Sequence, residues 1–134
     1  MTDAFPVTIY HNPDCGTSRN ALAMIEAAGY APTVVEYRVV GWTHSQLQGL
    51  FAAMDATPRD VMREKGTPAA ELGLLDGASD ESIIEAMVAH PILVNRPIVV
   101  TPKGTKLCRP SEVVLELLES RPASFTKEDG EVVR

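Results

Sequence analysis

Cys15 is the residue in this chain best placed to do chemistry. It lies in Asn12-Pro13-Asp14-Cys15-Gly16-Thr17-Ser18, between a proline turn and the start of a helical pattern. The first turn of a helix leaves backbone N–H groups without intrahelical partners, and the helix dipole favours negative charge there. A thiolate in such a place has a lowered pKa and becomes a usable nucleophile. The same N–H groups suit an incoming oxyanion. Cysteine is often a buried, inert residue. Here the neighbours are Gly-Thr-Ser and a proline turn, not an apolar face, and the reactive reading is favoured. Gly16, Thr17 and Ser18 are candidates to meet the oxyanion. For Thr17 and Ser18, capping the helix is the more conservative role.

The spacing also excludes chemistry. Cys15-Gly16-Thr17-Ser18 is a CxxS pattern, so the local resolving thiol of a dithiol oxidoreductase is missing. A C-x5-R phosphate loop is missing too, because position 21 is alanine. What is left is attack by a single cysteine, with a second thiol supplied from outside. Arg63, Arg96 and Arg109 are the candidate oxyanion clamp, since a guanidinium is always charged and presents a planar fork. Taken by itself, Arg63 reads more readily as a solvated surface residue. Arg96 and Arg109 stand beside prolines at the ends of strand patterns, where sites tend to gather. His11 could tune Cys15 or be a turn histidine without a role, and the sequence does not separate these. Pro97 opens a strand. A trans Arg96-Pro97 bond is the default there, whereas analogy with the fold that the element order below predicts favours cis.

The elements that must position these residues follow from periodicity. Residues 6–10 and 33–37 read as strands, with a helix over 19–28 between them. Thr43 and Gln46 form a capping box ahead of a helix to Met54. Thr57-Pro58 leads into a short helix over 59–64, and Ser79 opens another that stops at His90-Pro91. Ile98–Thr101 and Thr105–Cys108 form a hairpin through Pro102-Lys103-Gly104. Arg109-Pro110-Ser111-Glu112 starts a last helix, and the polar tail from Arg121 is expected to be loosely held. Cys108 reads as a buried strand cysteine, His44 as a solvated helix-start residue and His90 as a helix-end residue. The order βαβ, helices, ββα predicts an α/β, thioredoxin-like mixed sheet. It forms one domain over 1–134, with a helical insertion at about 43–90.

The chain has 134 residues, 45% of them hydrophobic, which suffices for one globular core. Its net charge of −6 argues against nucleic acid as a partner. No apolar run is long enough to span a membrane. Residues 1–6 lack a basic and apolar leader, which points to the cytoplasm. The two cysteines are far apart, and no pair of Cys or His has zinc spacing, so neither a disulfide nor a metal is expected.

Four segments resemble the glutaredoxin-linked arsenate reductases: Ile9–Asn20 around Cys15; His90–Val100, with Asn95-Arg96-Pro97; Leu107–Val114, with Cys108-Arg109-Pro110-Ser111; and Phe125–Glu131. The likeness runs nearly the whole chain in register. It implies that Cys15 attacks arsenate to form a covalent arsenic adduct, with Arg63, Arg96 and Arg109 binding the oxyanion. It implies that His11 helps keep Cys15 ionised. It further implies that glutathione, a co-substrate and not a bound cofactor, attacks the adduct before glutaredoxin releases arsenite. Residues 39–42 and 71–77 fit the pattern less well. A related branch keeps the fold and the cysteine but serves as a glutathione-dependent thiol reductase or as a non-enzymatic, redox-sensing regulatory partner. The arginine set favours the arsenate branch.

Overall fold

The computed structural model describes residues 5–134, and the leading residues on which the leader argument partly rests lie outside them. By contact density the chain forms two compact units. The first holds the described residues up to Glu36 together with Arg96–Arg134, and the second is Tyr37–Asn95.

In the first unit the strands are β1 (Thr8–His11), β2 (Thr33–Glu36), β3 (Ile98–Thr101) and β4 (Gly104–Leu107). They form one sheet in the order β2-β1-β3-β4. β1 pairs parallel to β2 with Ile9 opposite Val34, and antiparallel to β3 with Ile9 opposite Val99. A parallel pair needs a crossover, and α1 (Gly16–Ala27) supplies it. Ala21, Met24 and Ile25 lie on the buried face of α1, at helical spacing. They pack with Val7, Ile9, Val99, Cys108, Val114, Leu115, Leu117 and Leu118 into one core. This is the thioredoxin-like mixed α/β sheet the element order predicts.

The last helix differs in kind from the one predicted. Ser111–Leu117 is a 3-10 helix, and Ser111, Val114 and Leu117 are all buried. A three-residue repeat aligns i, i+3 and i+6 on one face, and these three side chains share it. The tail is also not loosely held. Phe125–Thr126 (β5) and Val132–Val133 (β6) pair into a hairpin. The N–H groups of Glu119 and Ser120 both donate to the Tyr30 hydroxyl at 3.0 Å, which ties down the start of the tail.

Cys108 is fully buried and follows β4 directly. Its Sγ–H donates to the Lys106 carbonyl at 3.7 Å. Burial is the main influence on the thiol and pushes its pKa from 9.0 up to about 12. The unfolded chain therefore releases this proton first. The stability that Cys108 contributes is full below the unfolded thiol's pKa and drains away as pH rises toward the folded value, by up to about 1.4 kcal/mol per pH unit. Urea unfolding of wild type should thus weaken more steeply than that of Cys108→Ala once the pH passes the ordinary thiol range. Parallel slopes would contradict this account.

The second unit contains α2 (Tyr37–Val40), α3 (His44–Met54) and α4 (Asp80–Ala89), with 3-10 turns at Arg59–Val61 and Pro91–Leu93. The Thr43–Gln46 capping box is present at α3. The Ser79 side chain caps α4 by accepting from the Ser82 N–H. Leu47, Leu50, Phe51, Ile83, Ile84 and Met87 are buried on the two longer helices. His44 Nε2 is hydrogen-bonded to the Glu81 carboxylate at 2.7 Å, so it is more than the solvated residue predicted. The helix predicted over 59–64 shrinks to one turn, because Met62 becomes extended and bridges to Val94. Arg59 secures that turn by donating to the carbonyls of Leu74, Leu75 and Ala78. Among the described residues, no helix is long and apolar enough to cross a membrane.

Candidate active site

The loop after β1 is folded by its own polar atoms. The Asn12 side-chain oxygen accepts from the Asp14 N–H at 2.9 Å, and the Asn12 carbonyl accepts from the Cys15 N–H at 3.0 Å. This local turn is what Asn favours. It ends with Cys15 as the N-cap of α1, in extended conformation (φ −104, ψ 122). The N-cap position is held by Cys15 itself, so neither Thr17 nor Ser18 takes the capping role the sequence suggests. Their backbone N–H groups are instead left for the Cys15 sulfur.

Cys15 is 7% exposed. Burial is the largest single influence on its thiol and opposes ionisation. The Ser18 N–H, the charge of Arg96, the Arg109 guanidinium and the Thr17 N–H act the other way. Together they outweigh burial and hold the thiol below its ordinary pKa. Arg109 Nη1 lies 3.7 Å from Cys15 Sγ and donates to the Arg96 carbonyl at 3.0 Å. One guanidinium nitrogen thus meets both the anchoring carbonyl and the sulfur. Among the described residues, no three His, Cys, Asp or Glu side chains gather as metal ligands would.

Ser18 is fully buried. Its hydroxyl oxygen accepts from the Asn12 N–H at 3.1 Å and lies 2.6 Å from His11 Nδ1. This contact ties the His11 ring to Ser18. His11 is therefore joined to the Cys15 helix through Ser18, whose hydroxyl meets the ring while its backbone N–H meets the sulfur.

The structure gathers Cys15, His11, Gly16, Thr17, Ser18, Arg96 and Arg109 in the first unit. Arg63 belongs to the second, where its Nε donates to the Lys65 carbonyl at 2.9 Å and its N–H to the Leu93 carbonyl at 2.7 Å. Arg96-Pro97 is cis, as the fold analogy favours, and Arg109-Pro110, on which the sequence reading is silent, is cis too. Pro97 is buried and its carbonyl accepts from the Cys108 N–H at 2.9 Å, joining the two arginine-bearing segments. Arg19 stands four residues after Cys15. In the structure it makes a two-pronged ion pair with Glu128, at 2.7 and 3.0 Å. The partners are 109 positions apart, a separation at which spacing carries no signal.

Residues 10–117 match the ArsC family. An arsenate reductase of Synechocystis, ArsI2, is 63% identical over 129 residues, 95% of this chain and 92% of that protein. An arsenate reductase of Rhizobium meliloti is 59% identical over the same proportions of each. A solved arsenate reductase from Vibrio cholerae superposes with a TM-score of 0.82 at 40% identity, covering 87% of this chain and 100% of that one. A family match over most of the length, together with relatives this similar end to end, settles the kinship: the chain belongs to the ArsC family.

Proposed function

We propose that the chain reduces arsenate to arsenite, with Cys15 as nucleophile. The observation that carries this reading is the Cys15 sulfur at the N-cap of α1, with Arg109 Nη1 3.7 Å away. The names of its close relatives point the same way. The Cys15 thiolate attacks arsenic and an arsenate oxygen leaves as water, giving a sulfur–arsenic adduct. A second thiol reduces the adduct. Overall, arsenate and two thiols give arsenite, one disulfide and water, so the two electrons come from sulfur. Gly16, Thr17, Ser18, Arg96 and Arg109 hold the oxyanion, and His11 helps keep Cys15 ionised. Because the CxxS pattern lacks a local second thiol, glutathione supplies it and glutaredoxin completes the release. A glutathione-rich compartment, the cytoplasm, suits this chemistry.

The test is arsenite formation by the purified protein with glutathione and glutaredoxin, each then withheld in turn. Turnover should collapse without either thiol source. Turnover undiminished when both are absent would reject the outside-thiol scheme. Reduction of a glutathione mixed disulfide with arsenate untouched would assign the thiol-reductase branch instead.

A further inference from the structure

The C-terminal hairpin lies beyond the span that matches the family, residues 10–117, and the chemistry at Cys15 leaves it without a task. Its connecting turn is held at two points. On one side Glu128 grips both prongs of Arg19, and the third arm, Arg19 Nη1, donates to the Pro13 carbonyl at 2.7 Å. The Glu128 N–H donates to the Asn20 side chain at 3.1 Å. Pro13 lies two residues before Cys15, and Arg19 lies one helical turn after it, its N–H bonded to the Cys15 carbonyl at 2.9 Å. On the other side the ammonium of Lys127, a side chain only 9% exposed, sits 2.6 Å from Glu112 and 3.0 Å from Glu131. Glu112 lies three residues after Arg109. Two adjacent hairpin residues thus clasp the segment carrying the sulfur and the segment carrying the guanidinium that faces it.

We propose that the hairpin is a brace for the site. In it, Glu128 positions the Cys15 loop through Arg19, and Lys127 positions the Arg109 segment through Glu112. Exposed ion pairs contribute little to global stability, so the value of this one lies in its geometry. A bidentate guanidinium–carboxylate pair fixes direction as well as distance. At a reacting centre, a displacement of about 1 Å costs on the order of a hundredfold in rate. The inference rests on Cys15 being the reactive group, but not on arsenate being its substrate.

The experiment is the pH dependence of Cys15 alkylation by iodoacetamide in the full-length protein, read by peptide mass spectrometry. Cys108 is buried and is counted separately. Arsenate KM and kcat are measured alongside. The variants are Glu128→Ala, the nearly isosteric Glu128→Gln in case the first folds poorly, and Lys127→Met. Charge alone predicts that deleting the Glu128 carboxylate leaves Arg19 uncompensated and draws the alkylation midpoint down. Loss of the brace predicts the opposite, since Sγ loses its alignment with the Thr17 and Ser18 N–H groups and with Arg109. An upward midpoint, with arsenate kcat/KM lowered about tenfold or more (at least the size of one charge-assisted hydrogen bond), supports the brace. A midpoint that falls or stays put in Glu128→Gln overturns it. Because alkylation needs no arsenate, the midpoint tests the brace whether or not arsenate is the substrate.

Discussion

Cys15→Ser is expected to abolish arsenite formation, with a loss on the order of 10⁴-fold or more, as removal of other enzymatic nucleophiles has cost. A serine hydroxyl does not ionise near neutral pH, and the N–H groups of Thr17 and Ser18 with the Arg96 and Arg109 charges cannot make it do so. Those groups shift an acidity, and they act on a thiol that already titrates within reach. The substitution is structurally mild. Cys15 is an N-cap residue, a position where serine is among the preferred residues. Loss of turnover with unchanged circular dichroism and urea midpoint is therefore the expected pair of results. Cys108 offers no substitute, being fully buried with its pKa pushed up to about 12. Residual turnover above about a tenth of wild type would exclude Cys15 as the attacking atom, because general positioning alone does not preserve that share.

What the sequence reveals depends on whether the signal is local. The turn that ends in Cys15 is legible because Asn12, Pro13 and Gly16 each have strong backbone preferences, and because β1, α1 and the β3–β4 hairpin keep clear periods. Periodicity places the start of α1 three residues late. Gly16-Thr17-Ser18 has no apolar periodicity to count, and the difference makes Cys15 the N-cap. The 3-10 helix escapes a periodicity reading because Val113, Val114, Leu117 and Leu118 fit a 3.6-residue repeat almost as well as a repeat of three. Buried Ser111, Val114, Leu115 and Leu118 themselves stand at i, i+3, i+4 and i+7, so apolar spacing does not separate the two helix types. The tail reads as loose because two-residue strands carry no period. Its order comes from Arg19, Glu112 and Tyr30, which are remote in sequence. The arginines are an intermediate case. Their type and proline neighbours mark Arg96 and Arg109, but only the fold brings the Arg109 guanidinium onto the Arg96 carbonyl.

That anchoring makes Arg109 the second residue whose loss should be costly. Arg109→Ala removes a charged donor from Cys15 Sγ and, on the proposed reading, from the arsenate oxygens. A hydrogen bond to a charged group contributes about 1.5–3 kcal/mol, so kcat/KM should fall roughly tenfold to a hundredfold. The sign of the pH effect is fixed as well. Arg109 is one of the groups that lower the Cys15 pKa, so without it the midpoint of the alkylation profile must move up. Arg109→Lys separates charge from shape. The ammonium keeps the positive charge near sulfur and should hold the midpoint close to wild type. It lacks the planar fork that fits a tetrahedral oxyanion, so the arsenate KM should still rise. Arg96→Ala should also raise the midpoint through its lost charge, while its backbone carbonyl stays to anchor Arg109. The Arg96 and Arg109 effects should therefore be separable in a double-mutant cycle, with the coupling carried by the shared thiolate. If Arg109→Ala and Arg96→Ala both keep wild-type kinetics and the wild-type midpoint, the two guanidinium groups are surface charges, and the oxyanion must be held by the backbone of Gly16, Thr17 and Ser18 alone.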